Sequence, residues 1–252
     1  MKTTSAFIQA TGLQKSFGSV TPARNITVGI DQRSVVGLIG ANGAGKTTFI
    51  NMLTGYLKPD KGEIVFRGKN ITGLAPRKIT RMGIARSFQI PQLFVSQTTR
   101  ENIDIALSIS GLSRALADES LDRLGVLEFA DMPCGVLPEG IRKLLDIALA
   151  MVCKPEVLLL DEPTSGVAAE EKFDVMSRVL DATRQLGVTV LFVEHDMEIV
   201  RRYSDRVLAF YDGAIIADGN AVEVLANSQV LEFITGETSV AVSSNQMVAG
   251  NA

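Results

Sequence analysis

The sequence has two cysteines and a single histidine among its 252 residues. Cys134 and Cys153 are far apart and His195 lies further downstream, so the chain lacks the clustered Cys/His set that binds zinc. A mechanism that needs two imidazoles is excluded as well. We expect both cysteines to be small, buried or half-buried side chains in a reducing compartment.

Long apolar runs are also missing. The longest, such as residues 147–153 and 157–160, fall far short of the roughly 20 residues that a helix needs to span a bilayer. The N-terminal residues MKTTSAFIQA contain no apolar core of the kind that a secretory signal requires. We therefore expect a chain that does not cross a membrane by itself and that stays in the cytoplasm.

The chain has no excess of positive charge, because 25 Lys and Arg stand against 28 Asp and Glu, for a net charge of −3. Proteins bind nucleic acid mostly by neutralising its phosphates, so we expect no nucleic-acid partner. The length and the hydrophobic content of 46% fit one globular domain with room for a subdomain.

Short β-rich runs alternate with helical stretches along most of the chain, which predicts an α/β fold with a largely parallel sheet. The runs 35–39 and 157–160 are apolar throughout, as in central strands that are covered on both faces. We expect these two strands to lie side by side or nearly so. The predicted strands span residues 6–11, 25–30, 35–39, 63–67, 84–88, 157–160, 188–193, 207–211 and 214–217.

Helical periodicity replaces the strand pattern between residues 91 and 153, with predicted helices at 100–108, 116–124 and 141–153. This change predicts a helical subdomain at about 90–153, inserted into the α/β core. Pro155 ends its last helix because proline lacks the backbone donor and clashes with the preceding turn. Residues 238–252 carry no charge and no periodicity, which predicts a flexible tail after a domain that spans 1–237.

A glycine-rich loop stands between the apolar run 35–39 and the helix-like segment FINMLTGY. Its glycines let backbone amides converge on phosphate oxygens, and the following helix adds the positive end of its dipole. We expect Lys46 to reach the β and γ phosphates of a nucleotide and the Thr47 hydroxyl to ligate Mg²⁺. The predicted nucleotide-binding residues of this loop are Gly40, Asn42, Gly43, Ala44, Gly45, Lys46, Thr47 and Thr48.

Two adjacent carboxylates, Asp161 and Glu162, follow the apolar run 157–160. Because consecutive strand residues face opposite ways, Asp161 can turn towards Mg²⁺ while Glu162 addresses the water that attacks the γ-phosphate. We therefore predict that Asp161 is a metal ligand and that Glu162 is the general base. Surface acids that merely cap a strand are the alternative, and the buried run before them disfavours it.

With these motifs in this order, the chain resembles the nucleotide-binding subunits of ABC transporters up to residue 237. Gln89 follows the predicted strand 84–88, where that family has its Q-loop, and His195 follows strand 188–193, where it has its switch histidine. Phe17, ahead of the glycine-rich loop, resembles the aromatic residue that stacks on adenine. The resemblance implies ATP and Mg²⁺ as cofactors, on a P-loop NTPase (ABC ATPase) core with the inserted helical subdomain and an N-terminal antiparallel β part.

The resemblance also implies roles for these side chains. Gln89 would sense Mg²⁺ and the attacking water, as a third metal-site residue, and would relay the nucleotide state to a docked membrane partner. His195 would donate a hydrogen bond to the γ-phosphate and orient Glu162. The catalytic set is then Lys46, Gln89, Glu162 and His195.

More narrowly, the stretches LTGYLKPDKGEIVFRGKNITGL and RMGIARSFQIPQLF resemble the ATPases of importers for branched-chain amino acids and related amides, urea and small organic acids. This resemblance implies a second ATPase subunit, two membrane permease subunits and, indirectly, a periplasmic or extracellular substrate-binding protein. The chain would lie on the inner face of the cell membrane as a peripheral subunit.

Other functions of similar cores are less favoured. An ATPase of a lipopolysaccharide or lipid export system shares nearly the same core, but the RSFQ and PQLF context favours the importer group. ABC ATPases of translation or DNA repair usually carry two such domains or a long coiled-coil insertion, and the sequence has neither. A small-molecule kinase would need an acceptor site and commonly lacks a Glu directly after the metal-binding Asp.

The segment that precedes helix 141–153 departs from the family pattern. The family's Leu-Ser-Gly-Gly-Gln signature acts in trans on the γ-phosphate of the opposing subunit, and here Pro138 has neither hydroxyl nor N–H while Glu139 adds a negative charge. Ala168 likewise replaces the usual Asp of the D-loop. We therefore favour a heterodimer with an intact partner, and a homodimer that uses helix-terminus amides is the alternative. The signature positions are Leu137, Pro138, Glu139, Gly140 and Ile141.

Four positive charges, Arg77, Lys78, Arg81 and Arg86, lie close together in the sequence. We favour a solvated helix face for them over contact with lipid headgroups or a membrane partner.

Overall fold

Two β-sheets and the helices around them make up the fold in the computed structural model, which describes residues 6–235. The predicted tail at 238–252 lies outside the described residues, as does the end of the predicted domain at 236–237. The α/β class is confirmed. The strands are β1 Ile8–Phe17, β2 Val20–Ile30, β3 Val35–Gly40, β4 Lys61–Phe66, β5 Lys69–Asn70, β6 Ile84–Arg86, β7 Val157–Asp161, β8 Thr189–Val193, β9 Arg206–Tyr211 and β10 Ala214–Gly219.

Helices occupy most of the connections between these strands, and three of them lie between β6 and β7, where the sequence predicts a helical subdomain. The helices are α1 Lys46–Leu53, α2 Pro76–Arg81, α3 Thr99–Ile109, α4 Ala117–Asp122, α5 Glu139–Met151, α6 Lys172–Gln185, α7 Met197–Tyr203, α8 Ala221–Leu225 and α9 Ser228–Val230.

The larger sheet has six strands in the order β10-β9-β3-β8-β7-β6. All neighbouring strands in it are parallel except β10, which pairs antiparallel with β9 at one edge. The two apolar runs predicted as central strands are β3 and β7, and every residue of both is buried. Only β8 separates them, so the prediction that they lie nearly side by side is confirmed.

A second, antiparallel sheet has the order β2-β1-β4-β5, and it confirms the expected N-terminal β part. Strands β1 and β2 are longer than predicted, since their pairing continues to a hairpin in which Phe17 faces Val20. A register shift occurs between Ala10 and Leu13, at Gly12, whose φ is 63°. This irregularity interrupts the apolar alternation by which a strand is recognised in a sequence.

The helical subdomain has its own apolar contacts, which α3, α4 and α5 form through buried side chains such as Leu107, Leu121 and Leu144. Helix α5 begins at Glu139, two residues earlier than predicted, with Pro138 as the residue before its first turn. Helix α4 is shorter than the predicted helix 116–124, because a 3₁₀ turn precedes it and the chain turns at Gly125, whose φ is 65°.

The carboxyl ends of the parallel strands β3, β6, β7 and β8 lie at one edge of the large sheet, which is where such folds place ligands. Strand β6 ends at Arg86 instead of residue 88 as predicted. The last hydrogen bond to the sheet on this side joins the Ser87 amide to the Leu159 carbonyl at 2.9 Å. Phe88 and Gln89 therefore belong to the loop that leads into the helical subdomain.

Within residues 6–235, no helix combines the length and the apolar character needed to cross a bilayer.

The two cysteines differ in exposure. Cys134 is buried, as expected, but Cys153 is exposed because α5 ends before it. The expectation of a buried or half-buried side chain is therefore wrong for Cys153.

Candidate nucleotide-binding site

The glycine-rich loop connects the end of β3 to the start of α1, as predicted. Gly45 precedes the first residue of α1 with a φ of 108°, and a Cβ atom there would overlap the carbonyl oxygen of Pro22 on β2. Only glycine fits at this position, both for its backbone conformation and for this close approach. The amides of the first turn of α1 have no partner within the helix, and residues of this turn line a cavity beside the loop.

Lys46 is almost completely buried, with 5% of its surface exposed. Its Nζ donates hydrogen bonds to the carbonyl oxygens of Gly40, at 2.5 Å, and Ala41, at 3.0 Å. Burial lowers the pKa of the Lys46 ammonium, while the nearby carboxylates of Glu162 and Asp161 act in the opposite direction. The Lys46 cation thus lies over its own loop, near the carboxylates of Asp161 and Glu162.

An open cavity beside the loop brings most of the predicted nucleotide site together. Glu162 from the end of β7 and His195 from beyond β8 line it opposite the loop, and Val20 and Pro22 of β2 close one side. The loop itself contributes Asn42, Gly43, Ala44, Gly45, Lys46, Thr47 and Thr48.

Glu162 has a φ of 50°, a left-handed conformation that is uncommon for a residue with a Cβ atom and that tends to occur at functional sites. Its amide donates to the Val193 carbonyl at 3.1 Å, which anchors this turn to β8. The two carboxylates therefore point to different places because β7 ends at Asp161 and the chain then turns, not through simple alternation along a strand.

The carboxylate of Glu162 joins two other predicted catalytic side chains. Gln89 Nε2 donates to Glu162 Oε2 at 2.8 Å, and His195 Nε2 lies 3.2 Å from Glu162 Oε1. Gln89, Glu162 and His195, which are far apart in the sequence, thus meet at one carboxylate, and they follow the ends of β6, β7 and β8 respectively. The sequence predicts the three residues, and the structure supplies their contacts.

Asp161 is held by an ion pair that the sequence does not reveal. Arg86 Nη2 lies 2.6 Å from Asp161 Oδ2, and Arg86 Nη1 donates to Asn51 Oδ1 at 2.5 Å. The Arg86 side chain is only 10% exposed, so its assignment to a solvated basic face is wrong. It leaves that face because β6 carries it inward beside β7. The other members, Arg77, Lys78 and Arg81, are exposed, as predicted.

Phe17, the predicted adenine contact, lies at the end of β1 and is 54% exposed. Its hairpin partner Val20 lines the cavity, and Lys15 Nζ lies 5.4 Å from the centre of the Phe17 ring. The ring is therefore near the rim of the site, and its stacking on adenine stays a prediction.

The signature segment forms the N-terminus of α5. Leu137 is buried, and the first hydrogen bond of the helix runs from the Arg142 amide to the Pro138 carbonyl at 3.0 Å. The amides of Glu139, Gly140 and Ile141 consequently have no acceptor within the helix. The Glu139 carboxylate pairs with Arg142 at 2.8 Å, which offsets part of its charge.

Two buried charged residues of α5, Lys143 and Asp146, are absent from the predicted site, although both touch the loop that carries Gln89. The signal for them is present in the sequence, since charges within an otherwise apolar helix face must find partners. Their partners could not be identified without the fold.

Together, the loop, the paired carboxylates and the parallel sheet define a P-loop nucleotide-binding protein. The model of the ABC transporter family matches residues 23–165, which is more than half of the chain. The chain belongs to the ABC transporter family.

Relatives in this family are similar over almost their whole length. The high-affinity branched-chain amino acid transport ATP-binding protein LivG of Salmonella typhimurium is 36% identical over 245 residues, which cover 90% of this chain and 96% of LivG. The corresponding protein BraF of Pseudomonas aeruginosa is 33% identical, with 91% and 98% covered.

Solved structures agree with these relatives. The ADP conformation of MJ1267, an ATP-binding cassette of an ABC transporter, superposes with a TM-score of 0.82 at 30% identity and covers 90% of this chain and 97% of its own. The structure of cbiO1 from Clostridium perfringens, part of the ABC transporter complex cbiONQ, gives a TM-score of 0.81 at 30% identity, with 90% and 94% covered.

Proposed function

We propose that the chain is the ATP-hydrolysing subunit of an ABC importer that powers the uptake of branched-chain amino acids or related small polar or organic-acid substrates. The observation that carries the hydrolytic part is the contact of Glu162 with both Gln89 and His195 beside the phosphate loop. The substrate class rests on the printed function of the relatives LivG and BraF. No feature of the site favours the export alternative.

In the proposed reaction, ATP lies with its phosphates along the loop and the N-terminus of α1. The Glu162 carboxylate accepts a proton from a water molecule, whose oxygen attacks the γ-phosphorus in line as the bond to the β-phosphate oxygen breaks. The products are ADP and inorganic phosphate. Gln89 and His195 hold the carboxylate in place, and Lys46 turns from its loop carbonyls to the β and γ phosphates.

The residues present fit Mg²⁺ as the cofactor. The hydroxyl of Thr47, the carboxylate of Asp161 and the amide oxygen of Gln89 are the oxygen donors that this ion prefers. When bound, Mg²⁺ neutralises charge on the β and γ phosphates.

Replacing Glu162 with Gln tests the base assignment. The amide keeps the size of the side chain but cannot accept the proton, so we expect ATP binding close to wild type and a fall in kcat of about 10²- to 10⁴-fold. Equilibrium binding of a fluorescent ATP analogue and phosphate release measure the two effects. Glu170→Gln, at an exposed position of the same connection, is the matched control and should behave as wild type. Wild-type turnover by Glu162→Gln would contradict the assignment.

We propose two membrane permease subunits as partners, with the chain on the inner face of the cell membrane and a substrate-binding protein acting on the far side. Exposed apolar side chains around the Gln89 loop support a docking surface there, because such groups are otherwise costly in water. They are Tyr56, Ile90, Phe94 and Val95.

Uptake measurements test the transport part of the proposal. Cells of the source organism that lack the gene for this chain should take up radiolabelled leucine several-fold more slowly than wild type, and the wild-type gene should restore the rate. The Glu162→Gln gene should not restore it. Unchanged uptake of leucine, isoleucine and valine, with impaired uptake of urea or a short organic acid, would indicate that the substrate is one of these related small molecules and not a branched-chain amino acid. Unchanged uptake of all of them would contradict the proposal.

We favour a heterodimer with a second ATPase whose signature is intact. The altered segment supports this choice, since Glu139 lies in the first turn of α5, where a phosphate from an opposing subunit would approach. The unpaired amides of that turn support the homodimer alternative.

The double substitution Pro138→Ser/Glu139→Gly distinguishes the heterodimer from the homodimer. It restores the family's serine and removes the negative charge, so we expect the isolated chain to hydrolyse ATP about tenfold faster or more, with a rate that rises cooperatively with protein concentration. Steady-state phosphate release at several protein concentrations measures this change. Brisk cooperative hydrolysis by the unaltered isolated chain, with no gain from the substitutions, would support the homodimer.

A further inference from the structure

Two charged side chains of α5 hold the loop that carries Gln89. Lys143 and Asp146 are only 2% and 6% exposed and lie one helical turn apart. Asp146 accepts hydrogen bonds from the amide of Phe88, at 3.1 Å, and from the amide of Gln92, at 3.0 Å. The Asp146 carboxylate therefore accepts hydrogen bonds from the loop backbone on both sides of Gln89.

Lys143 contacts the same loop at Gln89, between Phe88 and Gln92. Its Nζ donates to the carbonyl oxygen of Gln89 and lies 3.3 Å from the carbonyl oxygen of Glu162. Burial lowers the pKa of Lys143, an effect that the surrounding carboxylates of Glu139, Asp146, Glu162 and Glu194 oppose. Burial likewise raises the pKa of Asp146, which its bonds to the loop amides counteract. Burying such groups is costly, and the loop backbone supplies the partners that offset the cost.

Further along the loop, the attachment also comes from the helical subdomain. Asn102 on α3 accepts from the Phe94 amide at 2.9 Å and donates to the Phe94 carbonyl at 3.1 Å. Ser87 makes the last backbone bond to the large sheet before this segment. Residues 88–94 are therefore tied to α3 and α5, while the side chain of Gln89 reaches back to Glu162.

We propose that Lys143 and Asp146 are positioning residues: by holding the backbone of residues 88–92 against α5, they place the Gln89 side chain against the Glu162 carboxylate. The inference rests on the proposed function, because it assigns these residues to ATP hydrolysis.

Amide hydrogen exchange of the full chain tests directly whether Asp146 and Lys143 hold the loop that carries Gln89. Asp146→Asn keeps the shape of the side chain but replaces one acceptor oxygen with a donor, so it cannot accept from both amides. We expect exchange in residues 88–94 to rise about tenfold or more, with α5 still protected as in wild type. The matched control Asp122→Asn, at an exposed position of α4, should leave this loop unchanged.

Kinetics give the second readout. Asp146→Asn and Lys143→Met should lower kcat by about 10- to 100-fold with little change in KM for ATP, because misplacement of Gln89 affects the reaction more than binding. Lys143→Arg should recover most of the rate, since the guanidinium can still donate to the loop carbonyls. If Asp146→Asn fails to fold, Lys143→Met alone is judged by both readouts.

Unchanged exchange in residues 88–94, or unchanged kcat in a folded variant, would overturn the proposal. Loss of protection throughout α5 would also overturn it, since that outcome shows a purely structural role. Failure of the proposed function is distinguishable, because then the wild-type chain would release no phosphate even in its assembly with the ATPase partner, whatever the exchange of the loop.

Discussion

The rest of the site depends on the contacts of the Glu162 carboxylate with the side chains of Gln89 and His195. Glu162 lies at a left-handed turn directly after β7, and a backbone bond to β8 anchors that turn. Because Gln89 follows β6 and His195 follows β8, the order of strands in the large sheet decides that these side chains meet. The parallel sheet thus does more than provide a core: it brings distant parts of the chain to one edge.

Around this carboxylate the charges are arranged in opposing pairs. Lys46 lies over its own loop near both carboxylates, and Arg86 pairs with Asp161 at 2.6 Å, with only 10% and 9% of the two side chains exposed. In such a site each charge needs its partner, since an unpaired charge would cost several kcal/mol. In the proposed function, binding of ATP with Mg²⁺ would rearrange these pairs. Lys143, on helix α5 of the helical subdomain, donates a hydrogen bond to the Gln89 carbonyl oxygen. The helical subdomain therefore also contributes a charge to this group of side chains.

Much of the fold and the site follows from local patterns in the sequence. The apolar runs give β3 and β7, and the glycine-rich loop between a strand and a helix gives the phosphate site, because their physical requirements lie within a few residues. Arg86, Lys143 and Asp146 escape prediction because their partners are 19 to 75 positions away. The length of β1 escapes it for another reason, since the irregularity at Gly12 breaks the alternation while the pairing with β2 continues.

A double-mutant cycle between Gln89 and His195 tests most directly whether both act through Glu162. The rates to compare are kcat values for Gln89→Ala, His195→Ala and the double variant, in the assembly of the chain with its ATPase partner or as a homodimer. Since both side chains position one carboxylate, the account predicts that the double variant loses little more than the more damaging single variant. Losses that multiply fully in the double variant would show that the two residues act independently and would contradict the account.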